Sequence, residues 1–67
     1  MAYYTLFVRD EETGIFHDEF GDYKRADVQE EADCTYYDRK KSDIKIINTG
    51  GTAEALFAAS RKLNNKI

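Results

Sequence analysis

Few residues in this chain could do chemistry, and their spacing limits what they could do. Lys45 to Phe57 reads "KIINTGGTAEALF": an apolar run, a Gly50-Gly51 break and an alanine-rich stretch. That is the strand, turn and helix layout in which backbone N–H groups at a helix N-terminus hold a phosphate. The spacings that carry nucleotide mechanisms, GxxxxGK[ST] and GxGxxG, are missing, and "NTGGT" has no lysine at the phosphate position. Glu54 falls in the first turn of the expected helix, where its carboxylate complements the dipole and repels a second anion. The simpler reading is a joint, with the glycines bending the chain and Thr52 capping a helix.

His17 is the only histidine and Cys34 the only cysteine. They could serve as base and nucleophile, but nothing in the sequence brings them together, and Cys34 reads as a small, partly buried filler. The same counts exclude an intramolecular disulfide and a zinc site built from cysteine and histidine, and suit a reducing compartment. Asp10, Glu11 and Glu12 lack the alternating ligands and the glycine of a calcium loop, so they read as a solvated turn, not a metal site. The expectation is a protein that is not an enzyme and carries no cofactor or metal.

Charge is the stronger signal. The net charge of −3 conceals a segregation: eleven acidic residues against Lys24 and Arg25 between Asp10 and Asp38, then seven basic residues against Asp43 and Glu54 from Arg39 onward. Asp27, Glu30 and Glu31 stand at i, i+3 and i+4, where like charges disfavour an isolated helix by a few tenths of a kcal/mol per pair. One reading is a solubilising face. The functional reading is spaced negative charge, from Asp10, Glu11, Glu12, Asp27, Glu30 and Glu31, offered to a basic partner as a nucleic-acid mimic would offer it. The alternative is a nucleic-acid-binding module using Arg39, Lys40, Lys41, Arg61 and Lys62, with Tyr36 and Tyr37 stacking on bases. A pI near 5.0 weighs against it, because counterion release needs a broad basic surface.

Tyr3 to Glu31, "YYTLFVRDEETGIFHDEFGDYKRADVQEE", resembles short uncharacterised proteins encoded by bacteriophages and prophages, which open on a similar hairpin and "EFGDY" turn. The resemblance covers a little under half of the chain and brings no catalytic motif and no functional residues. It implies a context: tiny phage proteins that bind and block host machinery, including immune complexes that hold nucleic acid, as anti-CRISPR proteins do. The partner is then a host protein or nucleoprotein complex with a basic surface, met in the host cytoplasm.

The elements that must position these residues follow from pattern. Sixty-seven residues make one domain, near the lower limit for a core without staples. A hydrophobic fraction of 42% with nine aromatic residues argues for a folded globule despite a mean hydropathy of −0.70. No apolar stretch approaches the ~20 residues a membrane span needs, and the first residues lack a signal-peptide pattern, so a cytoplasmic protein is expected. Tyr3 to Arg9 and Ile15 to Phe20 read as a β-hairpin with a three-residue loop at Glu12, Thr13 and Gly14. That register sets Leu6 opposite Phe20, with Tyr4, Leu6, Val8, Phe16 and Phe20 on one face. It also puts Asp18 opposite Val8, which marks either an open edge or a break in register.

A helix from about Lys24 to Tyr36 follows, with Asp22 suited to capping and Val28, Ala32, Thr35 and Tyr36 as its apolar stripe. "DRKKSD" reads as a loop, Ile44 to Ile47 as a third strand, and the chain ends in a helix with Leu56, Ser60, Leu63 and Ile67 along one side. The expected fold is α+β, ββαβα: a three-stranded antiparallel sheet of order 2-1-3 with two helices packed on one face. The other face, with Tyr3, Thr5, Phe7, Ile15, His17, Glu19 and Ile47, is then open, which suggests a homodimer or partner interface, or a patch covered by a terminus.

Overall fold

The hairpin forms as expected, but a side chain sets its register. In the computed structural model, which describes residues 2–65, strand β1 is Tyr4–Arg9 and strand β2 is Phe16–Asp22. Asp10 N–H donates to the Ile15 carbonyl and Gly14 N–H to the Asp10 carbonyl, both at 2.8 Å. The Asp10 carboxylate accepts from the N–H groups of Glu12 and Thr13 at 2.8 and 3.3 Å. This carboxylate organises a loop over residues 11–14, one residue longer than expected. Gly14 takes the left-handed position, at φ 75°, as the loop requires.

The longer loop shifts the pairing by one, so Arg9 faces Phe16, Val8 faces His17 and Phe7 faces Asp18. A bulge that leaves Glu19 unpaired then restores Leu6 opposite Phe20. The pairing of Leu6 with Phe20 is therefore as expected. Phe16, however, lies on the face of Phe7 and not of Leu6, and Asp18 faces Phe7 and not Val8.

Strand β3, Ile44–Asn48, pairs antiparallel with the other side of β1, giving the expected order β2-β1-β3. Helix α1, Arg25–Thr35, lays Val28 and Ala32 on Leu6 and Val8, with Tyr4, Phe20, Tyr36, Ile44 and Ile46 packed around them. The stripe is the expected one except for Thr35, which is exposed. Asp22 does not cap the helix; its carboxylate accepts from Lys24 N–H at 3.2 Å, and Lys24 holds the N-cap position without a side-chain bond. Cys34 is exposed and no filler, because it falls on the side of α1 opposite Val28 and Ala32.

Helix α2, Ala53–Asn64, corrects the layering. Thr5, Leu6, Phe7 and Val8 are all 5% exposed or less, and a strand whose side chains alternate buries four in a row only when both faces are covered. Helix α1 touches all three strands and fills one face. Three strands span only about 10 Å, roughly one helix diameter, so no second helix fits beside it. Helix α2 therefore covers the face of Thr5, Phe7 and Phe16, with Ala55, Leu56, Ala59, Ser60, Leu63 and Asn64 as its half-buried stripe. The helices sandwich the sheet and do not share a face.

The open face foreseen for a homodimer is thus occupied: Thr5 and Phe7 lie under α2, while Ile15, His17 and Glu19 are exposed on the hairpin. Ile67, expected at the end of the helical stripe, lies outside the described residues. No helix among the described residues is long and apolar enough to cross a membrane.

Candidate functional site

At the hairpin end of the sheet, charge is built into the fold. "DRKKSD" holds a single 3-10 turn, Lys41–Asp43, that carries Asp43 inward to 5% exposure. Its carboxylate meets the Arg9 guanidinium at 2.6 Å, an ion pair without hydrogen-bond alignment, and lies 4.0 Å from Arg39. Arg39 reaches Glu11 at 3.8 Å and also donates to the Arg9 carbonyl. One arginine therefore ties the hairpin loop to the segment that joins α1 to β3.

Around this anchor lies an acidic depression of about 560 Å³, lined by Asp10, Glu11, Glu12, Glu19 and Asp38, with His17 beside them. The N–H groups of Glu12 and Thr13 hold the Asp10 carboxyl below the usual range, because they bond its ionised form. Of the acidic residues singled out in the sequence, Asp10, Glu11 and Glu12 gather here. Asp27, Glu30 and Glu31 do not line it. Asp27 sits in the first turn of α1, at the far end, and Glu30 projects away from the sheet, opposite the buried pair Val28 and Ala32. Glu31 is half-buried, accepts from the Thr35 hydroxyl at 2.7 Å, and lies near enough for its charge to reach Tyr36.

Burial pushes the Tyr36 hydroxyl above its ordinary value, and the charges of Glu19 and Glu31 push it further. Glu19 and Asp38 are the residues that sequence reasoning missed. Glu19 arrives through a bulge and Asp38 through a loop, and neither carries a local signal of where it ends up.

Tyr36 and Arg39 form a wall between this depression and a second, of opposite sign. Between α1 and β3 runs a groove of about 610 Å³ with Arg25, Arg39 and Lys41 on its rim against Asp33 alone among the acids. Tyr37 stands at its edge, 82% exposed. Of the basic residues considered for nucleic acid, Arg39 and Lys41 line the groove and Lys40 is exposed nearby. Arg61 and Lys62 are exposed on α2, across the sheet.

The Gly50-Gly51 stretch is the joint that the sequence suggests. The Thr52 hydroxyl accepts from Ala55 N–H at 3.1 Å, and Gly50 takes φ 82°. The N–H groups of Thr49 and Gly50 both donate to the Tyr3 carbonyl, at 2.9 and 3.2 Å, so an anion could not use them. His17, on β2, borders the acidic depression, whereas Cys34 lies on the outward side of α1, so the two do not form a nucleophile and base pair. Among the described residues, no group of three or more His, Cys, Asp or Glu side chains is placed to hold a metal ion. No protein-family model matches this chain, and neither a curated protein nor a solved structure is significantly similar to it.

Proposed function

We propose that this protein is a non-enzymatic interaction module that docks its acidic sheet end on a basic surface of a partner. The observation that carries the reading is that the hairpin loop from Asp10 to Glu12, Glu19 on the strand that follows it and Asp38 from beyond α1 bring their carboxylates around one depression. The Arg9, Asp43 and Arg39 cluster braces that end from within. A field concentrated in this way speeds encounter with a cationic partner and selects against anionic ones. Asp27, Glu30 and Glu31 extend the negative surface along α1 and contribute through steering. Together with the resemblance of the N-terminal half, this favours a phage-type inhibitor of a host nucleic-acid-handling or defence complex, acting in the host cytoplasm.

A protein partner suits the surface better than nucleic acid does, because the basic residues of the last third divide between two faces and form no continuous track. The test is retention of host proteins from a bacterial lysate by the wild-type protein and by Glu11→Lys/Glu12→Lys/Glu19→Lys, across a salt series, with mass spectrometry of what is held. The expected result is a defined basic protein or complex that wild type retains at low salt and the charge-reversed protein does not. An identical set retained by both, indifferent to salt, defeats the reading.

A further inference from the structure

The two edges of the sheet are treated differently. On β2, the Asn64 side chain accepts from Phe16 N–H at 2.8 Å and donates to the Phe16 carbonyl at 3.2 Å, so a helix residue imitates a neighbouring strand and blocks the hairpin end of that edge at Phe16. On β3 the alternation of the ladder can be worked out. Thr49 N–H donates to the Tyr3 carbonyl, so the pairs that exchange bonds with β1 are Thr5 with Ile47 and Phe7 with Lys45. The backbone groups of Ile44, Ile46 and Asn48 then point outward. Ile44 N–H is taken by the Lys41 carbonyl. Among the described residues, nothing bonds the outward N–H and carbonyl of Ile46.

The same strand forms one wall of the basic groove, with the side chains of Ile44 and Ile46 facing Ala32 and Tyr36 across it. An open strand edge beside a groove along a helix is the geometry that accepts an extended peptide as an added strand, with main-chain bonds for affinity and the groove for alternate side chains. The rim decides the occupant's chemistry. Arg25, Arg39 and Lys41 against Asp33 favour carboxylates, and Lys45 adds a further exposed cation on the strand itself.

We propose that β3 takes an extended acidic segment of a partner protein as a fourth strand, held by the outward backbone of Ile46 and by carboxylates on Arg25 and Lys41. This surface shares only the Tyr36 and Arg39 wall with the acidic sheet end and uses none of the carboxylates invoked there, so its test does not depend on the preceding proposal.

The test uses a fluorescein-labelled, acetylated peptide of alternating glutamate and valine and follows its anisotropy against the wild-type protein. Saturable binding that weakens at least tenfold in Arg25→Glu/Lys41→Glu is expected; both residues are exposed, so the fold tolerates the change. Two N-methylated peptides leave the protein untouched. Methylation of the amides that face the edge abolishes binding, while methylation at the other parity preserves it. Amide shifts in the ¹⁵N spectrum move at Ile44–Asn48 and not at Phe16–Asp22.

Equal affinity for both methylated peptides, or no saturable binding, overturns the proposal. So does tighter binding of oligothymidylate through the same two basic residues, which assigns the groove to nucleic acid. A β3-mediated dimer, seen by sedimentation and by intermolecular amide contacts at Ile44–Asn48, assigns the edge to a second copy and overturns it as well.

Discussion

Phe7 decides between a two-layered and a three-layered molecule. If both helices shared the face of Leu6, Phe7 would stand in water and its replacement would cost little. It is 0% exposed instead, under α2. A Phe→Ala change in a core costs about 3–5 kcal/mol, while a domain of 67 residues has roughly 3–10 kcal/mol in total at about 0.05–0.15 kcal/mol per residue. Phe7→Ala is therefore expected to leave much of the population unfolded, so Phe7→Leu is the measurable variant, at about 1–1.5 kcal/mol. With a slope near 1 kcal/mol per molar urea for so small a protein, its midpoint falls by about 1–1.5 M, read by circular dichroism. Phe57, 69% exposed on α2, is the control, and Phe57→Leu stays within about 0.5 kcal/mol of wild type. Equal midpoints for the two leucine variants would refute the sandwich.

Asn64→Ala removes two hydrogen bonds to Phe16, an expected loss of about 1–3 kcal/mol, and hydrogen exchange checks it: the Phe16 amide must lose protection beyond the global loss. Asp43→Asn leaves Arg9 and Arg39 without their buried carboxylate. Breaking a fully buried pair costs about 3–5 kcal/mol, but Arg9 is 43% exposed and screened by water, so about 1–2 kcal/mol is expected in urea denaturation. Tyr36 has a raised folded value, so its contribution is fully present below the ordinary tyrosine range and is lost as pH rises through the folded value. An alkaline absorbance titration of tyrosinate shows a late component that Tyr36→Phe removes. Asp10 has a depressed folded value, so the loop is favoured above the ordinary carboxylate range and loses that help as pH falls through the depressed value. Asp10→Asn is expected to flatten this acid dependence, as followed by NMR shifts of the Glu12 and Thr13 amides.

The wall shared by Tyr36 and Arg39 gives the two charged surfaces a physical link. Arg39 pairs with Glu11 on the acidic side and lines the basic groove on the other. A ligand carboxylate that takes Arg39 from Glu11 increases the uncompensated negative charge of the hairpin loop, so the sign of any coupling between the two surfaces is set by this one side chain.

Much of this architecture was legible in the residues. Strong β-formers, one acidic helix with Val28 and Ala32 at i and i+4, and the capped segment after Gly50-Gly51 determined five elements, their order and the central place of β1. Gly14 marked the hairpin turn, because left-handed backbone there favours a residue without Cβ. Local chemistry and periodicity suffice for such features.

What only the tertiary structure decided depends on long-range geometry. The Asp10 carboxylate lengthened the loop by one residue, and the Glu19 bulge undid the shift two pairs beyond Val8, so Phe16 changed faces while Phe20 did not. The narrowness of a three-stranded sheet sent α2 to the opposite face, and a period-3.6 stripe states that a helix has an apolar side without stating which surface receives it. The acidic strip read along the chain came apart for the same reason: helical rotation turned Glu30 to solvent, while folding added Glu19 and Asp38 to the loop from Asp10 to Glu12. Charge in a sequence is ordered by position, and charge on a surface is ordered by the distances that packing creates.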